Sequence, residues 1–288
     1  MVCSVPAPGR QRNSPKRGPA GRRPALRRLL GRGLGLAIAV VLLVSGIGLP
    51  PPATGPDILM APGFAHPLGT NDIGQDVLAG LLAATPNSIA IAFLAAAATL
   101  ALAILGGLAA ACGGRIVQAL VLRLVDILQI LPSILILLVV AASLEPGLVT
   151  LVLLLALTNW HDDVRVVRAL ILRELTRESL QQARLVGYGW FYLSVRHLLP
   201  PIAPELRALA LESVRRAALK TAGLGFLGLV DPQLPTWGGM MQDALGHLTT
   251  PAWAWLMLPP AVTLALFLLT IQRLSGDPSG RTAAEAEA

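Results

Sequence analysis

Residues 86–111 read PNSIAIAFLAAAATLALAILGGLAAA, a stretch without a single charged side chain. About 20 apolar residues are enough for an α-helix to cross the hydrocarbon core of a bilayer, so this stretch can span a membrane. Over all 288 residues, 54% are hydrophobic, only 14% are charged and the mean hydropathy is +0.67. A soluble domain of this length needs more charge on its surface, so the sequence predicts an all-α protein surrounded by membrane lipid.

Apolar runs of similar length recur along the chain, and together with the first one they are 33–49, 86–111, 124–143, 147–164, 202–228 and 255–272. The run at 147–164 is short and ends in polar residues, and the run at 202–228 contains charged residues. We therefore predict a polytopic membrane protein with about six transmembrane helices. Its transmembrane domain is expected at 31–275, with polar tails at 1–30 and 276–288.

Lysine and arginine occur in only four parts of the chain, namely 10–32, 115–123, 165–220 and 273–281. The loops at 50–85, 144–146 and 229–254 contain acidic residues but no lysine or arginine. The positive-inside rule places basic segments in the cytoplasm. We therefore expect a multi-pass protein of the bacterial cytoplasmic (inner) membrane with both termini, and a long loop at about 165–200, on the cytoplasmic side.

The first 30 residues are rich in arginine, proline and glycine and contain no acid, which is typical of a disordered basic tail. A nucleic-acid-binding arm would usually interleave aromatic residues, and none occurs there. A cleaved signal peptide would need an Ala-x-Ala site near residues 45–53, which is missing. We therefore expect neither nucleic acid as a partner nor cleavage. Cys3 and Cys112 both lie in segments predicted to be cytoplasmic, so no disulfide is expected.

The longest predicted cytoplasmic loop carries residues with a distinctive spacing: Gln181, Gln182, Ala183, Gly187, Leu199 and Pro200. This spacing resembles the cytoplasmic EAA loop of ABC importer permeases, in which Glu-Ala-Ala, three residues and Gly precede a hydrophobic stretch that closes on Leu-Pro. In that family the loop docks on a separate ATPase, so the resemblance implies an ATPase-coupling loop here. Gln181 and Gln182 replace Glu-Ala, which removes the carboxylate but keeps a hydrogen-bonding side chain. A helical hairpin without a docking role is the alternative.

Four other segments resemble the C-type permeases of dipeptide, oligopeptide and nickel importers. These segments are HPLGTNDIGQD at 66–76, Arg123 and Asp126 followed by Pro132, FLGL at 226–229, and PTWG at 235–238. The resemblance covers roughly residues 66–275 and implies the ABC importer type I permease fold. It also implies a second homologous permease subunit, two ATP-binding subunits and an extracytoplasmic solute-binding protein as partners. A simpler interpretation of 66–76 is the capped start of an external helix, with Asn71 or Asp72 as the cap.

The chain contains neither a phosphate-binding GxxxxGK[ST] loop nor an HExxH metal motif. We therefore expect no cofactor and no metal in this chain, with ATP and magnesium bound by the partner ATPase subunits. The cargo implied by the resemblance is dipeptides, oligopeptides or nickel-type metal chelates. The sequence does not distinguish among these.

Basic residues interrupt the fifth apolar run at Arg215, Arg216 and Lys220. Measured from Pro200, Arg215 lies about 22 Å along the helix axis. Charges inside a membrane usually face a bundle interior or an aqueous cavity, so these residues are candidates for lining the transport pathway and favouring an anionic cargo. Alternatively, the helix starts well inside the cytoplasm and the side chains snorkel or pair with Glu212, with Glu205 on the same face.

Two other classes of function stay open at this point. A secondary transporter driven by an ion gradient would usually show carboxylates within its spans and internal repeats, and neither is evident. A membrane-embedded enzyme would need a convergent catalytic set within the spans. The pair His161 and Asp162 lies at a predicted span end, where a polar cap is the simpler interpretation. We therefore predict a permease and not an enzyme.

Overall fold

The computed structural model describes residues 52–144, 146–176, 192, 196 and 198–275. These residues form the α-helices α1 Val77–Cys112, α2 Gly114–Ile130, α3 Ser133–Leu144, α4 Leu148–Leu175, α5 Leu199–Phe226, α6 Trp237–Asp243 and α7 Trp253–Ser275. A 3₁₀ turn, Ala244–His247, follows α6. The described part of the chain has no β-strand beyond an isolated bridge between Thr70 and Asp76. The predicted all-α fold is confirmed.

Several predicted features lie outside the described residues. They are the span at 33–49, the tails at 1–30 and 276–288, and the coupling-loop residues Gln181, Gln182, Ala183 and Gly187. Leu199 and Pro200, which close that loop, are described and form the first turn of α5. Below, the end of the bundle with Asp76, Gly147 and Phe226 is called the outer end, following the predicted orientation, and the opposite end the inner end.

Helix α1 is longer than the apolar run that predicted it. Its 36 residues extend over about 54 Å of helix axis. It begins where the side chain of Asp76 accepts a hydrogen bond from the backbone amide of Ala79, which satisfies one of the free amides of the first turn. It ends at Gly113, and Gly114 then reverses the chain with a φ of 77°, a conformation that glycine adopts at little cost.

Helices α1 and α7 are each long and apolar enough to cross a membrane, among the residues that the structure describes. Helices α2 and α3 reach that length only together, and the chain bends by 76° between them. Pro132 lies at the bend, where it lacks an amide hydrogen and disfavours a helical conformation of Leu131 before it. The predicted span at 124–143 therefore falls on two helices that meet at this bend.

Helices α4 and α5 cover most of the predicted spans at 147–164 and 202–228, and both are 28 residues long and carry charged side chains. Helix α4 continues to Leu175, so the first part of the predicted loop at 165–200 is an extension of this helix. Helix α5 begins with prolines in its first turn, where the missing amide hydrogen costs nothing.

Helix α1 lies against both α4 and α5, and small residues permit this close packing. A Cβ atom on Gly107 would lie 2.7 Å from Cγ1 of Val167, and one on Gly106 would lie 3.1 Å from side-chain atoms of Trp160 and Val164. Glycines at a helix crossing let the backbones approach, which is how helices in a membrane gain van der Waals contact. Large buried side chains then fill the bundle on both sides of this crossing: Ile91, Leu137, Leu151, Leu155, Leu224, Val125, Val167, Ile171 and Ile202.

Candidate functional site

A polar cluster lies between α4 and α5, well inside the bundle. Nη2 of Arg216 lies 2.7 Å and 2.8 Å from the two carboxylate oxygens of Asp163, whose side chain is 5% exposed. The hydroxyl of Ser213 donates a third hydrogen bond to Asp163 at 3.0 Å, and Asp162 lies 3.4 Å from Nη1 of Arg216. The charge of Arg216 is therefore compensated by carboxylates of the neighbouring helix.

Arg215 is compensated within its own helix. Its Nε donates a hydrogen bond of 2.9 Å to Glu212, one turn earlier, and a second bond joins the other carboxylate oxygen to Nη2. Both side chains are about two-fifths exposed, 40% for Arg215 and 43% for Glu212. The pairing with Glu212 is the one that the alternative interpretation of the sequence expected. Glu205 pairs instead with Arg173 of α4, at 2.9 Å.

Lys220 has a different environment. Its ammonium donates hydrogen bonds to Oγ of Ser133 at 2.9 Å and to the side-chain oxygen of Asn159, which is buried. Both acceptors are neutral, and no carboxylate in the described part of the chain forms an ion pair with Lys220. The side chain is half-buried.

The cluster is deep in the bundle because α4 and α5 run in opposite directions. Counted from Leu199, Ser213 lies about 21 Å and Lys220 about 32 Å along α5. Asn159 and Asp163 lie about 16 Å and 22 Å from the outer start of α4. Both helices extend further at their inner ends, where Arg173 meets Glu205. The three basic residues singled out in the sequence therefore lie in the middle part of the bundle, well away from the inner end of α5.

Sequence reasoning missed the partners of these basic residues. Asp163 was grouped with the polar end of a span, but α4 continues past it to Leu175 and places it in mid-helix. Ser133 reaches Lys220 because the chain bends at Pro132, directly before it. The sequence contains a signal for these contacts: one apolar helix carries an arginine and a lysine, and another carries an acid and an amide.

At the outer end, the PTWG segment at 235–238 is inserted between α1, α5 and α7. The indole of Trp237 is 2% exposed, its Nε1 donates to the hydroxyl of Thr85 at 3.1 Å, and its backbone amide donates to Ser88 at 3.0 Å. Its ring lies 5.5 Å from that of Phe267. The polar side chains around Pro86 in α1 were the sequence signal for this docking site, and sequence reasoning did not use them.

Two glycines bring α5 and α6 into contact at this point. A Cβ atom on Gly238 would lie 2.4 Å from the carbonyl oxygen of Ala222, and one on Gly225 would lie 2.9 Å from the amide nitrogen of Gly239. Neither position has room for a side chain. The end of α5 and the PTWG segment therefore form one packed junction, which Gly238 and Gly225, the residue before the FLGL segment, make possible.

The outer segment before α1 is held by side-chain hydrogen bonds. Nδ1 of His66 lies 2.8 Å from Oδ2 of Asp76, and Nε2 lies 3.6 Å from Asp57. The hydrogen bond to Asp76 raises the pKa of His66 above its ordinary value, with burial opposing it. Burial would raise the pKa of Asp76, but the bonds from His66 and from backbone amides outweigh it and lower that pKa. Trp255 of α7 donates to the carbonyl of Thr70 at 3.2 Å and anchors the segment.

The helix cap differs from the expected one. The sequence favoured Asn71 or Asp72 as the cap, whereas Asp76 caps α1. Asn71 instead accepts hydrogen bonds from the amides of Ile73 and Gln75 and so closes a turn before the helix. The expectation of Asn71 or Asp72 is wrong because this turn takes up five residues before the helix can begin.

A cavity of about 650 Å³ opens at the outer end between this segment and the chain that follows α5. Its lining includes the carboxylates of Asp72, Asp76, Asp231 and Asp243. Burial, with the nearby charge of Asp72, raises the pKa of Asp243. No cluster of three or more His, Cys, Asp or Glu side chains that could hold a metal ion occurs in the described residues.

Residues 103–276 match a family described as "Binding-protein-dependent transport system inner membrane component". The chain belongs to this family. The match covers most of the bundle from the inner half of α1 to the end of α7, and it includes the polar cluster of α4 and α5. The resemblance to ABC importer permeases of the dipeptide, oligopeptide and nickel group is thereby confirmed, and the chain is a transport permease of the membrane.

Individual relatives agree with the family. The chain is 36% identical over 211 residues to a di/tripeptide transport system permease protein of Pseudomonas aeruginosa, covering 73% of this chain and 69% of that protein. It is 34% identical over 198 residues to a nickel transport system permease protein of Escherichia coli, covering 68% and 71%. A dipeptide transport system permease protein of Haemophilus influenzae is 30% identical over 205 residues, covering 71% and 69%.

Proposed function

We propose that this permease carries peptides, or nickel-type metal chelates, through the membrane as part of an ABC importer. The observation that carries the proposal is the 36% identity to a di/tripeptide permease over 73% of the chain, with a nickel permease at 34%. Peptides are the first choice because two of the three relatives named above are peptide permeases.

The proposed importer contains a second homologous permease, two ATP-binding subunits and an extracytoplasmic solute-binding protein. ATP and magnesium bind to the ATP-binding subunits, and this chain supplies no cofactor. Both termini of the chain face the cytoplasm. Support comes from the family description, which names a binding-protein-dependent system, and from the confinement of lysine and arginine to alternate segments.

The ATPase acts on the loop at about 165–200, through Gln181, Gln182, Ala183, Gly187, Leu199 and Pro200. The inner ends of α4 and α5 support this role because they come directly before and after the loop in the chain and are tied together by Arg173 and Glu205 at 2.9 Å. A displacement of the loop would therefore act on both helices at once. Closure of the ATPases then tilts the spans and exposes a central cavity to one side of the membrane and afterwards to the other.

Arg215, Arg216 and Lys220 line the transport pathway in this proposal. Arg215 and Glu212 are about two-fifths exposed in the single chain at the depth of the membrane core, where lipid is a costly neighbour for charge. Water or a second protein subunit removes that cost. This face of α5 is therefore the one that turns towards the pathway between the two permeases.

Uptake measurements test the function. Cells that lack their own peptide and nickel importers are given the complete transporter, and uptake of radiolabelled dialanine and of ⁶³Ni²⁺ is compared. Accumulation of dialanine that disappears when the ATP-binding subunits are omitted supports a peptide importer. Accumulation of nickel alone would move the cargo to metal chelates, and accumulation without the ATP-binding subunits would contradict an ABC importer.

A further inference from the structure

The three basic residues of α5 are not equivalent. Arg216 meets the buried carboxylate of Asp163, and Arg215 meets Glu212, so each guanidinium has a carboxylate in direct contact. Within the described part of the chain, the hydrogen bonds of Lys220 go to the hydroxyl of Ser133 and the amide oxygen of Asn159. This half-buried ammonium in the middle of the bundle has no contacting counter-charge among the described residues. An added anion should therefore gain more electrostatic stabilisation at Lys220 than at Arg215 or Arg216.

The geometry of the ammonium leaves it able to bind. A lysine ammonium has three hydrogen-bond donors, and two of them are used by Ser133 and Asn159. Those two acceptors orient the group without neutralising it. The same face of α5 is open one turn further along, since a Cβ atom on Gly223 meets no atom within 4 Å. Leu219 next to Lys220 is also exposed.

We propose that Lys220 is the specificity-determining residue of the pathway, and that it pairs with a carboxylate or another anionic group of the cargo during passage. The inference rests on the proposed function, in which this face of α5 lines the pathway. Arg216 does not take this part, because Asp163 and Asp162 already occupy its guanidinium. Ser133 and Asn159 act as positioning residues that fix the ammonium between α3, α4 and α5.

A thiol assay tests the site without reference to the cargo. In the complete importer with Cys3→Ser and Cys112→Ser, Gly223→Cys places a thiol next to Lys220. The thiol is treated with an anionic and a cationic methanethiosulfonate, the ethylsulfonate and the ethyltrimethylammonium reagents. With charges about 6 Å apart in water, Lys220→Gln should lower the anionic-to-cationic rate ratio by about tenfold. Arg207→Gln, which removes an exposed charge near the inner end of α5, should not change it.

Absence of any reaction at the Gly223→Cys thiol would overturn the proposal, since the face would then be covered by lipid or protein. An unchanged rate ratio in Lys220→Gln would overturn it as well. If the wild-type importer takes up neither dialanine nor nickel, the proposed cargo class is wrong, but the rate ratio still decides whether this face is aqueous and positive.

Uptake then tests specificity. Dialanine and its C-terminal amide are compared in wild type, Lys220→Gln, Lys220→Arg and Arg207→Gln. Loss of one charged hydrogen bond should lower kcat/KM for dialanine about tenfold in Lys220→Gln and change uptake of the amide less than twofold. Lys220→Arg should retain most of the activity, and Arg207→Gln all of it. An equal loss for both peptides in Lys220→Gln, or no loss for either, would show that Lys220 does not recognise the carboxylate.

Discussion

Replacing Arg216 by glutamine removes the partner of a buried carboxylate. Asp163 is 5% exposed, and after the change it keeps only the hydrogen bond from Ser213. Breaking a buried ion pair from one side costs about 3–5 kcal/mol, because the remaining charge stays in a poorly solvated place. We therefore expect Arg216→Gln to lower the free energy of unfolding by about that amount. Asp163→Asn in the same chain should restore most of it, since the buried charge is then gone.

The neighbouring arginine provides a matched control on the same helix. Arg215 also pairs with a carboxylate, but that pair is 40% and 43% exposed. Exposed ion pairs contribute at most about 1 kcal/mol, so Arg215→Gln should change the free energy of unfolding by less than that. The two variants make the same chemical change at adjacent residues and differ in the burial of the partner.

Purified variants in detergent are heated in steps, and the folded fraction is measured by size-exclusion chromatography. Wild type, Arg215→Gln and the double variant Arg216→Gln/Asp163→Asn should have similar melting temperatures. Arg216→Gln alone should melt at a clearly lower temperature. Equal melting temperatures for Arg215→Gln and Arg216→Gln would refute the reasoning, because burial of Asp163 would then have no energetic consequence. A double variant as unstable as Arg216→Gln would show that the arginine acts through packing and not through charge.

Gly107→Leu should prevent stable assembly of the bundle, because even a Cβ atom there would lie 2.7 Å from Val167. Gly223→Leu should fold, because a Cβ atom at that position meets no atom within 4 Å. The yield of folded protein for the two variants tests this difference. Gly187→Trp should leave the protein inserted but reduce uptake and ATPase association, and normal uptake would show that the loop does not dock. The stabilisation of the folded outer segment through His66 should be complete below pH 6.5 and lost as the pH rises through the raised pKa of this residue. The stabilisation through Asp76, whose pKa is lowered, should be present above pH 3.8 and lost in acid. Proteolysis of residues 52–76 should therefore accelerate from pH 6 to 8 in wild type but not in His66→Gln. Reporter fusions near residues 70 and 240 should read external and those near 118 and 180 cytoplasmic, and a cytoplasmic signal at 240 would contradict the topology.

Hydropathy predicted where helices occur but not where they end. The run at 86–111 lies inside α1, yet the helix starts at Val77, because Asp76 caps it and the residues between tolerate helical structure. The predicted span ends at residue 164, whereas α4 continues without a break to Leu175, through the arginine-rich start of a loop that is itself expected to be helical. Charged residues are compatible with a helix that leaves the membrane core, so composition alone does not place its end.

The sequence also predicted only part of the polar cluster between α4 and α5. Arg215, Arg216 and Lys220 stand out in an apolar run and could be named from the sequence, and the pairing of Arg215 with Glu212 follows from helical spacing. The partners on other helices could not be derived, because Asp163 and Asn159 become neighbours of α5 only through antiparallel packing. The bend at Pro132 was visible in the sequence, but its effect on Ser133 depends on the direction in which α3 continues.

The length of α1 fixes the level of the membrane surface on the protein. A helix of about 54 Å would have to tilt by more than 50° to fit within a hydrocarbon core of about 30 Å, which is beyond the tilts usually found, of up to about 40°. Part of α1 therefore stands in the headgroup layer or in water. At the outer end Trp253 is exposed and opens α7, as tryptophans often do at the headgroup level. The junction of Trp237 with Thr85 and Ser88 then lies close to the lipid–water boundary and not in the middle of the bilayer.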